Sequence, residues 1–223
     1  MSATAPRPAD GSAAEPLELA VPLRGPCRVQ NSPANRVPSH GTAAFGSAYA
    51  IDLVPVDHRG RSAPLSWRGL LGSEPPDGFV GFGRDVFAPV AGRVVLVHDG
   101  EVDHAAHRSP LTAVPYLLSQ GRRAAAGAAG LAGNHVVIAI GDAGPYVLVA
   151  HLQRGSVAVQ PGQPVAVGQP VGRCGNSGNS TEPHVHLQVS DSTDWTTASG
   201  LPFAFARGDG SAWLPRNGDT VRG

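Results

Sequence analysis

The segment His184-Val185-His186 carries two imidazoles separated by one residue. On a β-strand successive side chains point to opposite faces, so His184, His186 and Gln188 line one face and Val185, Leu187 and Val189 the other. Two imidazoles on one face of an otherwise apolar strand are costly to bury unless something binds them, and neutral imidazole is a common zinc ligand. A pair of solvated surface histidines is the plain alternative. His151 ends the apolar segment PYVLVAHL, where alternation places it on the face of Val147 and Val149. A His in such a place is ordinarily a packing or hydrogen-bonding residue. Asp52 interrupts YAIDLV between Ile51 and Leu53, and a carboxylate inside an apolar strand needs a cation or several hydrogen bonds. An Asp that closes a turn is the competing reading. Together these residues offer two imidazoles, a carboxylate and a spare His. That is the composition of a catalytic zinc centre, with three protein ligands and an open position for water. The residues alone leave open which His is the third ligand. The chain contains no HExxH, no G-x-S-x-G elbow, no P-loop and no Rossmann fingerprint.

Short strands have to position these side chains. LELAVPL (17–23), SAYAIDLVPV (47–56), two pieces of DVFAPVAGRVVLVHDG (85–100), NHVVIAIG (134–141), PYVLVAHL (145–152) and HVHLQVS (184–190) all read as strands. Gly and Pro punctuate SVAVQPGQPVAVGQPVGRCG (156–175) into short apolar pairs. Frequent turn signals and little helix predict an all-β fold, an antiparallel β-sandwich or open barrel. RGRSAPLSWRGLLGSEPPDG (59–78) has the composition of a long loop. Residues 101–133, a short helical pattern followed by an Ala/Gly-rich stretch, read as an irregular or helical insertion. Residues 1–16 read as a disordered lead-in and 206–223 as a tail, which leaves 17–205 as the domain. No repeat of fixed period is present.

A chain of 223 residues, 41% hydrophobic, is long enough for one domain with a real core. The 17 basic residues, all Arg, are matched by 17 acidic ones, so no electrostatic ground exists for a nucleic acid or anionic membrane partner. No apolar run approaches the roughly 20 residues that span a bilayer. Behind Arg7 there is no apolar h-region, so no export signal is visible. The expectation for the chain as written is cytoplasmic; a start further upstream or non-standard export would place it in the cell wall. Cys27 and Cys174 fit no metal or redox spacing, and the reading is of free, buried thiols rather than a pair.

Four segments, in this order, resemble the lysostaphin/LytM-type zinc endopeptidases of peptidase family M23. VPSHGTAAFGSAYAIDLV (37–54) is similar to the family's His-then-Asp motif, and FAPVAGRVVLV (87–97) to its Ala-Pro-x-x-Gly-x-Val stretch. LVAHLQRGSVAVQPGQPVAVGQPVG (148–172) is similar to its Ala-His-Leu segment and following hairpin, and CGNSGNSTEPHVHLQV (174–189) to its glycine-rich turn and His-x-His strand. The resemblance covers most of residues 37–190 and implies the LytM, or duplicated hybrid motif, fold. It makes His40, Asp52 and His186 the ligands of a Zn2+ ion, and His151 and His184 the two catalytic, non-ligand histidines. It further implies cleavage of peptide bonds in bacterial peptidoglycan, or of another peptide substrate.

The chain departs from the family pattern in three ways. His40 and Asp52 stand twelve positions apart, where the commonest motif has three intervening residues. Glu182 occupies a position where the family usually has Gly. The 101–133 insertion has no counterpart in the core pattern. Two other readings compete. One is a non-catalytic LytM-like module that binds its partner without cutting; members of that kind usually lack ligands. The other is a phosphohistidine carrier domain, which shares the Pro-x-x-Gly-x-Val turn of Pro89 to Val94 but has no use for Asp52.

Overall fold

The structure, a computed structural model, describes residues 17–65, 72–109, 111–112 and 127–223. Thirteen strands are found among these residues. The main sheet has eight of them, in the order β13-β2-β3-β10-β7-β6-β5-β8. They are β2 (Pro26–Gln30), β3 (Ile51–Pro55), β5 (Gly92–His98), β6 (Asn134–Ala139), β7 (Tyr146–Leu152), β8 (Pro164–Val165), β10 (Val185–Ser190) and β13 (Thr220–Arg222). Every neighbouring pair in this sheet is antiparallel. A second sheet pairs β4 (Asp85–Phe87) with β9 (Pro170–Arg173). The third joins β1 (Leu17–Leu19), β11 (Phe203–Ala206) and β12 (Ala212–Trp213), and here β1 runs parallel to β11. One short helix, α1 (Gly127–Ala132), lies just before β6.

Alternation divides the main sheet into two faces. Val29, Ile51, Leu53, Val136, Ile138, Val147, Val149, Val185, Leu187 and Val189 point into one large core. There they meet Leu19 of β1, Val86 of β4, Val171 of β9 and the T-shaped Phe203–Phe205 pair of β11. The opposite face carries a smaller apolar cluster of Ala132, Val137, Leu148 and Ala150, with Trp195 packed against it. β3 and β6 are buried along their whole length because both faces are covered, which is why they read as near-continuous apolar runs.

The all-β fold expected from the strand pattern is what the chain adopts. Residues 206–223, read as a tail, instead supply β12 and β13, and β13 is an edge strand of the main sheet. β4 and β5, adjacent in sequence, belong to different sheets. The lead-in at 1–16 and most of the Ala/Gly-rich stretch lie outside the described residues. What is described of the insertion is anchored: Ala106 exchanges backbone hydrogen bonds with Glu74 (3.0 and 2.8 Å), and the Arg108 guanidinium pairs with the Glu74 carboxylate at 2.7 Å.

Candidate metal centre and catalytic groove

The five candidate residues reach one groove from four places in the chain. β3 pairs with β10 so that Asp52 stands directly opposite His186, and on its other side Asp52 faces Gln30 of β2. These three residues therefore share the face of the sheet turned away from the main core. His184 precedes β10 by one residue and lines the same groove. His40 arrives from the loop before a short 3-10 segment (Ala44–Tyr49), where Ser39 Oγ lies 3.0 Å from His40 Nδ1. The extra residues between His40 and Asp52 are thus taken up by that loop and 3-10 turn.

His151 gets there by a different route. Strict alternation on β7 would leave it on the core face with Val147 and Val149, as expected above. That expectation fails. The β6–β7 register shifts between Asn134 and Val136, so two residues of β7 oppose one of β6, and His151 has φ +61°. Such a bulge in a left-handed conformation re-aims a side chain. Here it turns the imidazole to the groove face, beside Leu148.

Donor atoms of His40, Asp52 and His186 all lie within 4.8 Å of one another. His40 Nε2 is 3.1 Å from Asp52 Oδ2, and His186 Nδ1 is 2.9 Å from Oδ1. Tetrahedral zinc with bonds of roughly 2.0–2.2 Å separates neighbouring donors by roughly 3.3–3.6 Å, so the set fits a zinc ion with small adjustments. Asn31 Nδ2 donates to Asp52 Oδ2 at 2.7 Å, and Gln188 Oε1 lies 3.1 Å from His186 Nε2. These two residues hold the side chains of Asp52 and His186 in place. Gln188 is found by counting two residues on from His186, whereas nothing in the sequence around Asn31 signals its role.

The two other histidines are held by backbone carbonyls. His151 Nδ1 donates to Ser177 O at 2.8 Å, and His184 Nδ1 to Glu182 O at 2.8 Å. That fixes the tautomer, so in each neutral ring Nε2 is the proton acceptor. His184 Nε2 points to Asp52 Oδ1 at 3.5 Å, and the His151 and His184 ring centroids are 4.7 Å apart. Burial is the largest influence on all three central groups. It holds His151 well below the usual His range, reinforced by His184 and His186. For Asp52, burial pushes upward, but His40, His184 and the hydrogen bonds from His184 and His186 together keep the carboxyl well below the usual range. For His184, burial pushes downward, and attraction to Asp52 outweighs it and raises the imidazole.

The groove encloses about 610 Å³. Its lining includes all five residues, together with Gln30, Thr42, Phe45, Asn179, Thr181, Glu182 and Trp195.

No curated protein matches the chain significantly. Among solved structures, the catalytic domain of the antimicrobial peptidase lysostaphin from Staphylococcus simulans is similar at 22% identity and a TM-score of 0.35, covering 62% of this chain and 81% of that one. The catalytic domain of a prophage-encoded M23 protein, EnpA, from Enterococcus faecalis is 20% identical with a TM-score of 0.33, covering 63% and 94%. A zinc-containing peptidase from Vibrio cholerae is 18% identical with a TM-score of 0.33, covering 63% of this chain but only 46% of its own. The family model described as peptidase family M23 matches residues 77–198. His151, His184 and His186 fall inside that match, and His40 and Asp52 stand N-terminal to it. With more than half of its length matched, the chain belongs to peptidase family M23.

Proposed function

We propose that the protein is a zinc-dependent endopeptidase that hydrolyses peptide bonds in bacterial cell-wall peptidoglycan, with His40, Asp52 and His186 as zinc ligands and His151 and His184 as catalytic residues. The observation that carries this reading is the convergence of three donor side chains within 4.8 Å, in a groove where two further imidazoles present Nε2. Membership of a peptidase family, and the zinc-containing and lysostaphin catalytic structures to which the chain is similar, support it.

Zinc held by these ligands supplies Lewis-acid polarisation of the scissile carbonyl and a lowered pKa for a bound water. The rest of the chemistry belongs to the chain. A proton leaving the attacking water needs an acceptor, and no Glu in a helix motif is present; the Nε2 atoms of His151 and His184 are the acceptors at hand. One imidazole takes that proton at Nε2, and the other, when protonated at its own Nε2, donates a hydrogen bond from there to the oxyanion that develops on the carbonyl. Asn31 and Gln188 hold the ligand side chains in place. Groove walls from Phe45, Thr181 and Trp195 give an extended peptide a bed across the strands.

The test is a digest of purified peptidoglycan with zinc-loaded protein, with and without a chelator, read by mass spectrometry. New amino termini that vanish with the chelator and return with zinc are the expected outcome. An intact polymer under all conditions would remove the proposal.

A further inference from the structure

Glu182 sits in the groove wall two residues before His184 and is only 8% exposed. Its two carboxylate oxygens are unequally satisfied. Oε2 accepts a 2.6 Å hydrogen bond from Ser62 Oγ. Among the described residues, Oε1 has only Gln30 Nε2 at 3.4 Å and Arg28 Nη2 at 3.8 Å. Arg28 is itself partly solvated and also donates to Gly60 O at 3.4 Å. A buried carboxylate gains most from charge-assisted hydrogen bonds of roughly 2.7–2.9 Å, and Oε1 has none. Among the described residues no Arg lines the groove, and the chain has no Lys. Apart from Asp52, which belongs to the proposed ligand set, Glu182 is the only carboxylate in that lining among the described residues.

Its position gives the groove a direction. Gln30, which contacts Glu182, belongs to β2 and pairs with Asp52. Leu148 belongs to β7, on the other side of β10, and packs with Ala132 and Trp195. A peptide laid across the strands therefore meets a carboxylate on the β2 side of the metal centre and an apolar wall on the β7 side. A focused negative charge in a concave wall favours cations there.

We infer that Glu182 is a specificity-determining residue whose carboxylate forms a subsite for a primary ammonium group of the peptide substrate. This inference rests on the reading of the groove as a peptide-binding cleft. The ammonium can belong to the side chain of a diamino acid or to a free peptide amino terminus; both offer the same charge and donors.

Four peptides distinguish the sources: the amide of acetyl-Gly-Gly-Lys-Gly-Gly, its Nε-acetyl counterpart, pentaglycine amide with a free α-amine, and N-acetyl-pentaglycine amide. Each is titrated calorimetrically into the zinc-loaded full chain and separately incubated with it, products being read by mass spectrometry. At least one ammonium peptide should bind about five- to tenfold more tightly than its acetylated partner. That ratio should collapse toward one in Glu182→Gln, in which the amide oxygen can still accept from Ser62. Arg28→Gln, which removes the competing cation, should raise the ratio. A preference confined to the lysine pair assigns the subsite to a side-chain amine, and one confined to the pentaglycine pair assigns it to an α-amine. Equal binding within both pairs, binding of neither ammonium peptide, a preference that survives Glu182→Gln, or a ratio unmoved by Arg28→Gln overturns the inference. Because binding and cleavage are read separately, ammonium preference without cleavage would count against the hydrolase alone, and cleavage without preference against the subsite alone.

Discussion

At the scale of single residues, the proposed assignment separates ligands from proton carriers, and substitutions should separate them too. His186→Ala removes a donor from a set of three and should abolish both zinc binding and hydrolysis, checked by elemental analysis of the purified protein beside the peptidoglycan digest. His151→Ala leaves all three donors in place; bound zinc should stay stoichiometric while turnover falls by roughly 10²–10⁴-fold, the usual worth of a general acid–base group. Full activity in either variant contradicts the roles assigned here. Asn31→Ala tests the supporting layer. Its amide holds Asp52 Oδ2 at 2.7 Å, and loss of such a partner typically weakens metal binding by roughly 10- to 100-fold. Competition with a chromogenic chelator measures it; an unchanged affinity would mean that Asp52 is already held by the sheet.

At the scale of elements, the decisive feature is the β7 bulge and the loop that receives its imidazole. Asn134, fully buried, ties the region together: Nδ2 donates to Glu101 O and Leu152 O, and Oδ1 accepts from the backbone N–H groups of Gly100 and Glu101. Ser177 Oγ donates to Leu152 O and accepts from Asn134 N, so the loop whose carbonyl orients His151 is clamped to the strand that carries it. Gly133 and Gly178 make the clamp possible. Both have positive φ, and a Cβ on Gly178 would collide with the backbone of Gly133. Gly178→Ala should therefore displace the Ser177 carbonyl, lowering turnover with zinc retained and destabilising the fold on the order of 1–3 kcal/mol. Thermal unfolding together with zinc-loaded activity reads both effects; wild-type values in both would show that the loop is not a positioning element.

For the whole molecule, burial decides the behaviour of groups away from the groove. Cys27 and Cys174 are free and fully buried, and burial pushes the Cys27 thiol up to about 12 and Cys174 higher still. Neither should react with a thiol reagent at pH 8 until the protein is unfolded. His135 is 2% exposed, its Nδ1 donating to Gly133 O at 2.7 Å; burial, the dominant cause, lowers its pKa from 6.5 to about 4. The unfolded chain therefore takes up a proton before the folded one does. This part of the stability is intact above about pH 6.5 and is lost as the pH falls toward about 4, a total on the order of 3 kcal/mol. Thermal midpoints measured from pH 8 to pH 4 should fall over that window and fall less in His135→Gln; an identical slope in the variant would assign the acid sensitivity elsewhere. No helix among the described residues is long and apolar enough to cross a membrane.

How much of this could be read in the sequence follows from the range of the interactions involved. Alternation is a local property, so the strands, the all-β class and the shared face of His186 and Gln188 were written in spacing alone, as was the anomaly of Asp52 inside an apolar strand. The resemblance of four ordered segments pointed to peptidase family M23. Alternation misplaced His151, because a bulge arises from the register between two strands and leaves no local trace. It also missed β13, which becomes a strand only because β2 offers it an edge. Spacing could not say how a His twelve positions from Asp52 reaches the same point, nor that Asn31 would meet the groove from a distant segment. Such positions are set by contacts between residues far apart in the chain, and those contacts exist only once the sheet has closed around them.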